Sequence, residues 1–131
     1  MKCFIDANVL FSGANTDSHM HRLLLQMSIP NELITSNYAR EEAIRNIRSK
    51  REMWEYGFSI VMQNLKVVPS VDQNIPFEIA AKDRPILATA IAHQCDRLIT
   101  GDKKDFGHLF EKEFHGVTIL TPLQWIQEFN P

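Results

Sequence analysis

The sequence predicts an α/β domain with a mainly parallel sheet of about five strands. Three observations carry that expectation. Short apolar runs, at 2–5, 33–35, 65–68, 97–100 and 117–120, alternate with longer stretches of helical periodicity. The first run stops at a carboxylate, Asp6, as the first strand of a buried parallel sheet does. Helix-start residues Ser36 and Pro122 stand just after two of those runs, and Pro85 marks another start between the third and the fourth.

Taken in order, Lys2 to Ile5 is the first strand. Val9, Leu10 and Phe11 resume the apolar pattern after Asp6, which also suits a helix N-cap. A polar loop, 14–18, follows. An amphipathic helix then carries Met20, Leu23, Leu24 and Met27 on one side and breaks at Pro30 and Asn31. Leu33 and Ile34 form a second strand ending at Thr35. Ser36 caps a helix through about Arg48, with Ala39, Ala43, Ile44 and Ile47 apolar. A third helix is expected over about 51–64, with Gly57 as its weak point. Leu65 to Val68 is the third strand, closed by Pro69. After a loop over 70–76, helix is expected at 77–81, and again from Ile86 to about His93. Arg97 to Thr100 is the fourth strand, Lys103 to Phe110 a turn with a short helix, Val117 to Leu120 the fifth strand, and Pro122 starts the last helix.

A chain of 131 residues suits one domain spanning 1–131. Net charge is −2, so no global basic field announces a nucleic-acid partner, although a local patch can carry one. Cys3 and Cys95 sit in apolar surroundings and read as buried thiols of a reducing compartment. No apolar run approaches the ~18 residues of a membrane span. No secretory signal pattern precedes Asp6 either, so a cytoplasmic protein is expected.

The informative residues are acids. Ligands of open α/β sheets bind outside the carboxyl ends of the strands, where strand order reverses. Asp6 follows the first strand and Asp102 the fourth, which can be neighbours in such a sheet. Asp105 is three residues past Asp102, and Asp83 stands at a helix start. Glu41 and Glu42 lie in the first turns of the helix after the second strand. Each acid alone has an ordinary explanation: Asp83 as a cap, Asp102 and Asp105 as turn residues, the glutamates as solvated helix charges. Together they would repel one another and raise each other's pKa. A divalent cation resolves that conflict, and an all-oxygen site suits Mg²⁺ or Mn²⁺. Carboxylate-held ions that activate water and stabilise a leaving oxygen point to phosphodiester hydrolysis.

FIDANVLFSG, the helical EEAIRNI and KDRPILATAIAHQCDRLITGDKKDF, in that order and spacing, resemble a PIN domain. The resemblance spans nearly the whole chain. It implies a three-layer α/β/α sandwich and a Mg²⁺- or Mn²⁺-dependent single-strand endoribonuclease, often the VapC-like toxin of a toxin–antitoxin pair. An RNA substrate, a cognate antitoxin protein and a dimer are the partners it implies. Residue by residue, Asp6 matches the first acid, Asp83 the third, Asp102 the fourth and Asp105 the accessory acid. The second is Glu41 or Glu42; Glu42 is chosen because Ala43 and Ile44 follow it, as an apolar face follows the family's glutamate. Asn8 and Thr100 stand where supporting polar residues are expected.

The remaining polar residues are less telling. His19 and His21 do not share a helix face and read as surface residues. Arg40, Arg45, Arg48, Lys50 and Arg51 hold five of the fourteen basic residues. Arg45 and Arg48, with Lys103, could track an RNA backbone or simply solvate a surface. Trp54, Tyr56 and Phe58 read as core or interface. The competing function is a non-catalytic module of the same fold that works through a protein or RNA partner. Phosphoryl transfer through an aspartyl intermediate is disfavoured, because Asn8 stands where such enzymes carry a second acid.

Overall fold

The computed structural model describes residues 1–72 and 79–129. In chain order the elements are strand Lys2–Ile5 (β1), helices Ala7–Gly13 (α1) and His19–Met27 (α2), strand Glu32–Ser36 (β2), and helices Asn37–Lys50 (α3) and Glu55–Gln63 (α4). Strand Lys66–Val68 (β3), helix Arg84–Ala92 (α5), strand Arg97–Ile99 (β4) and helix Lys103–Phe106 (α6) follow. Strands Glu113–Phe114 (β5) and Val117–Leu120 (β6) and helix Pro122–Phe129 (α7) come last among the described residues.

The strands form one sheet in the order β3-β2-β1-β4-β6-β5. β1 is parallel to β2 on one side and to β4 on the other, with Cys3, Phe4 and Ile5 opposite Arg97, Leu98 and Ile99. The order reverses between β1 and β4. Parallel crossovers follow a right-handed rule, so connections leaving in opposite directions from that reversal cover both faces with helices and give three layers. Phe4, Ile5, Leu98, Ile99 and Ile119 are fully buried at the centre of the core. Central parallel strands are covered on both faces, so their sequences are continuously apolar.

Several expectations need correction. Among the described residues the sheet has six strands, because the two-residue β5 pairs antiparallel with β6. A two-residue strand leaves no periodicity to read, and the turn that joins it is recognisable only from the positive φ of His115 and Gly116. The helix expected over 51–64 is a 3₁₀ turn, Glu52–Trp54, followed by α4. Of the helix expected at 77–81, residues 77 and 78 lie outside the described residues, and 79–81 are not helical.

Gly57 is no weakness. A Cβ there would lie 1.9 Å from the carbonyl oxygen of Ala14, so only glycine lets α4 close onto the turn after α1. His21 is buried, not a surface residue. Its Nδ1 donates to the carbonyl oxygen of Gly13 at 2.7 Å, which holds α2 against the end of α1. The aromatic trio divides: Phe58 is buried, Tyr56 is exposed, and Trp54 packs on Phe11 with ring centroids 5.3 Å apart.

Candidate active site

The reversal between β1 and β4 brings the residues just past the two strands together. Asp6 leaves β1 as the N-cap of α1, and its Oδ1 accepts the backbone N–H of Ala7 at 2.7 Å. Its Oδ2 accepts the hydroxyl of Thr100, which follows β4, at 2.7 Å, and the amide of Asn8 at 3.3 Å. Asn8 closes the seam from the other side, because its Oδ1 accepts the N–H of Gly101 at 2.8 Å. Thr100 Oγ1 in turn accepts the N–H of Asp102 at 3.1 Å. The cap and site readings of Asp6 are therefore compatible: one oxygen starts the helix, and the other is held by the neighbouring strand.

Asp102 caps α6, accepting the N–H of Asp105 at 3.0 Å. That short helix turns Asp105 back toward Asp102. Asp83 stands at the N-cap position of α5, yet its side chain makes no capping hydrogen bond. Asp83, Asp102 and Asp105 each offer a carboxylate oxygen, and the three oxygens lie within 4.8 Å of one another. Oδ2 of Asp83 and Oδ2 of Asp105 are both buried, and among the described residues the Lys82 ammonium near Asp105 is the only cation close to them.

Glu42 lies outside that trio, as does Asp6, but both feel its charge. Glu42 is half-buried on α3, and the carboxylates of Glu42 and Asp102 both act on Asp6. Glu41 is exposed and pairs with Arg40 at 3.2 Å. α3 presents Glu42 here because Ser36 ends β2 and caps the helix at once, accepting the N–H of Ala39 at 3.1 Å.

Burial is the main force on the acids. It pushes Asp6 up to about 6, against the lowering effect of Thr100 and Ala7. It also pushes Asp83 up to about 7, helped by the facing carboxyl of Asp105. Asp105 is lowered in return, first by the hydrogen bond from Asp83 and then by Lys82. The proton of the pair therefore belongs mainly to Asp83.

Two residues at the site escaped the sequence reading. The ammonium of Lys82 stands 3.1 Å from Oδ2 of Asp105, and the surrounding carboxylates hold its pKa above the usual lysine value. Tyr38 donates its hydroxyl to the carbonyl oxygen of Lys82 at 2.8 Å, tying α3 to the turn that precedes Asp83. Burial raises the Tyr38 pKa, and the charges of Glu42 and Asp83 raise it further. Lys82 adjoins Asp83 in the chain, which is the one signal that could have found it; nothing in the sequence singles out Tyr38.

The basic residues separate. Arg48 pairs with Glu55 at 2.9 Å, on α4. Arg45 has no ion-pair partner among the described residues and lies near enough to Tyr38 to lower its pKa. Lys103 is exposed beside Asp102. A divalent cation fits the acidic group on chemical grounds. The donors are all hard oxygens, and at Asp83 burial and the facing Asp105 carboxyl outweigh the nearby Lys82 charge and raise the Asp83 pKa.

Comparison with known proteins agrees with this topology. The sequence matches no known family profile and no curated protein sequence. Solved structures do match. A chain of VapBC2 from Rickettsia felis, bound to a DNA fragment from their promoter, superposes with a TM-score of 0.68 at 15% identity, covering 92% of this chain and 98% of that one. FitAB bound to IR36 DNA matches with a TM-score of 0.62 at 17% identity, covering 92% and 94%. VapC20 from Mycobacterium tuberculosis, a Sarcin-Ricin loop cleaving toxin, matches with a TM-score of 0.55 at 10% identity, covering 78% and 91%. The chain thus has the PIN-domain fold of VapC-like proteins.

Proposed function

We propose that the protein is a divalent-metal-dependent endoribonuclease that hydrolyses phosphodiester bonds of single-stranded RNA. The observation that carries this reading is the convergence of Asp83, Asp102 and Asp105, whose carboxylate oxygens lie within 4.8 Å of one another and whose buried member, Asp83, has only the facing Asp105 carboxyl to share a proton with. A folded chain tolerates such a group when it has a ligand to hold.

In this reading Asp83, Asp102 and Asp105 hold Mg²⁺ or Mn²⁺, and Asp6 and Glu42 complete the negative field around it. When bound, the ion supplies Lewis acidity and charge neutralisation at the scissile phosphate. The chain's own residues do the rest. Thr100 and Asn8 fix the Asp6 carboxylate in one orientation, so little reorganisation is needed as charge develops. Tyr38 and Lys82 hold the turn that carries Asp83. Arg45 and Lys103, and Arg48 if released from Glu55, bind backbone phosphates on either side of the acids. No serine, cysteine or histidine nucleophile is required: a water oxygen forms the new bond to phosphorus as the bond to the leaving ribose oxygen breaks, the water's proton passing to a site carboxylate and the leaving oxygen taking one from solvent.

The likeness to VapBC2 and FitAB supports a toxin role with a cognate antitoxin protein as partner, and the likeness to VapC20 supports RNA as substrate. Self-association into a dimer is part of the same proposal and is read by light scattering. The central test is incubation of the purified chain with labelled single-stranded RNA in Mn²⁺, Mg²⁺ or EDTA. Cleavage with either ion and none in EDTA is expected. Incorporation of heavy-oxygen water into the phosphate end is expected too; its failure would replace water by the 2′-hydroxyl as nucleophile. Intact RNA in both metals would favour the non-catalytic binding module.

A further inference from the structure

A cleft of about 640 Å³ opens beside the acidic group. This is within the roughly 300–1,000 Å³ of small-molecule pockets. Gly101 and Lys103, the two chain neighbours of Asp102, form one wall; Phe110, Leu123, Gln124 and Gln127 contribute others. Its chemistry is opposite to that of the neighbouring acids. Among the described residues no carboxylate lines it, and Lys103 is its one cation.

The far wall exists because α7 starts directly after β6. Thr121 and Gln124 cap that helix reciprocally: Gln124 N–H donates to Thr121 Oγ1 at 3.1 Å, and Thr121 N–H donates to Gln124 Oε1 at 2.9 Å. The carbonyl end of Gln124 is thereby spent on the backbone, which leaves its NH₂ group without a protein partner among the described residues. Leu123 is 62% exposed, a large apolar side chain open to solvent at the cleft. Phe110 is half-buried there.

A flat aromatic and aliphatic wall, free amide donors and a lone cation together fit a nucleotide: base on the apolar wall, edge on the amides, phosphate on the lysine. Among the other grooves, those on α3 include the carboxylate of Glu41 and one includes Asp105, whereas the groove between α2 and α7 carries a similar set, Leu23, Phe129, Gln26 and Arg22. The groove on α3 and α4 has its arginines Arg40 and Arg48 already paired with Glu41 and Glu55. The groove between α2 and α7 includes none of the acids or their chain neighbours. Continuity decides the occupant. Asp102 lies in the chain between two residues of the cleft wall, so a strand that brings a phosphodiester to Asp102 passes close to this opening.

We propose that this cleft seats the nucleoside adjoining the scissile phosphodiester, with Phe110 and Leu123 stacking its base and Gln124 and Gln127 reading its edge. The proposal rests on the nuclease reading above and extends it: cleavage selects a base at one fixed position relative to the cut. The test has two arms. In the first, the full chain cuts a random-sequence RNA pool in Mn²⁺, and the ends are sequenced. One base should be enriched about tenfold at one position beside the cut, the scale of a single base-edge hydrogen-bond contact. Leu123→Asp and Gln127→Ala, both at exposed positions, should flatten that bias.

In the second arm, a thiouridine-bearing oligoribonucleotide is photocrosslinked to the wild-type chain in EDTA, and the adduct is mapped by mass spectrometry to the 121–127 segment. Cuts without base bias, or a bias unchanged in both variants, would overturn the cleft and leave the nuclease standing. An absence of cuts with a crosslink at 121–127 would overturn the nuclease reading and keep the cleft. Neither cuts nor that crosslink would remove both.

Discussion

Asp6 and Asp83 are both buried carboxylates at the same end of the sheet, and their surroundings are opposite. Asp6 sits on the β1–β4 seam, where a backbone N–H, a threonine hydroxyl and an asparagine amide all donate to it. Asp83 sits on the turn before α5, faces the acids Asp102 and Asp105, and keeps one oxygen without a donor. Burial costs the ionised form at both positions, but only at Asp6 does the fold repay part of that cost with hydrogen bonds. The difference teaches a division of labour. The seam orients its carboxylate before any ligand arrives, whereas the turn leaves its own to be satisfied by one.

Removing the unsatisfied side should have the largest effect. Asp102→Asn or Asp83→Asn should abolish the rise in melting temperature produced by Mn²⁺, since an ion that binds only the folded state stabilises it. On the proposed function the same variants should lose more than ~10³-fold in RNA cleavage, the several kcal/mol that an ion supplies. Asp6→Asn should weaken the metal-induced shift and not erase it. Equal metal uptake by all three variants in a calorimetric titration would end the distinction between seam and turn.

Next comes the pH dependence of the metal-free chain. Both carboxyls have folded values, about 6 for Asp6 and about 7 for Asp83, above the ordinary 3.8. The folded state therefore binds these protons more tightly than the unfolded state. The stabilisation is fully present below about pH 3.8 and is lost as pH rises through the folded values. For Asp6 this amounts to roughly 3 kcal/mol between the two limits. Asp6→Asn should flatten the fall at its lower end and Asp83→Asn at its upper end, in melting curves from pH 4 to 7 recorded in EDTA. A melting temperature that climbs across this window in wild type would contradict the burial argument.

A smaller effect is expected from the seam's hydroxyl. Thr100→Val keeps the shape but leaves Oδ2 of Asp6 with the asparagine amide alone. Because Thr100 acts through Asp6, its loss should weaken metal binding by no more than Asp6→Asn does, at most ~10-fold, the lower end for such supporting contacts. The thing to measure is metal affinity: a loss no greater than that of an unrelated core threonine variant would show that the seam orients nothing.

The smallest effects separate adjacent glutamates. Glu41→Gln removes only an exposed pair with Arg40 and should change stability by less than ~1 kcal/mol, with cleavage intact. Glu42→Gln should lower cleavage clearly, because its charge acts on Asp6. Parallel assays reversing that order would move the site to Glu41.

The bounds of most elements were legible in the sequence, because local rules dictate them. β1 was readable as an apolar run ended by an acid, and α3 as a periodic segment behind the cap Ser36. The order of acids along the chain was legible too, together with the exclusion of a membrane-spanning helix, which the described residues also lack. Short or non-local features were not. β5 has two residues, and His21 is buried through a bond to Gly13 that no helical pattern encodes.

What only the tertiary structure decided is how each acid is spent. Sequence chemistry made Asp6 and Asp83 equivalent, two aspartates each able to cap a helix. Pairing of β1 with β4 placed Thr100 on one of them, while the turn before α5 left the other facing Asp105. Likewise, Lys82 and Tyr38 join the site only because α3 lies against that turn. Local patterns specify where strands and helices start, since those depend on neighbours along the chain. Donors, burial and shared protons depend on residues far apart in the chain, and the fold alone brings them together.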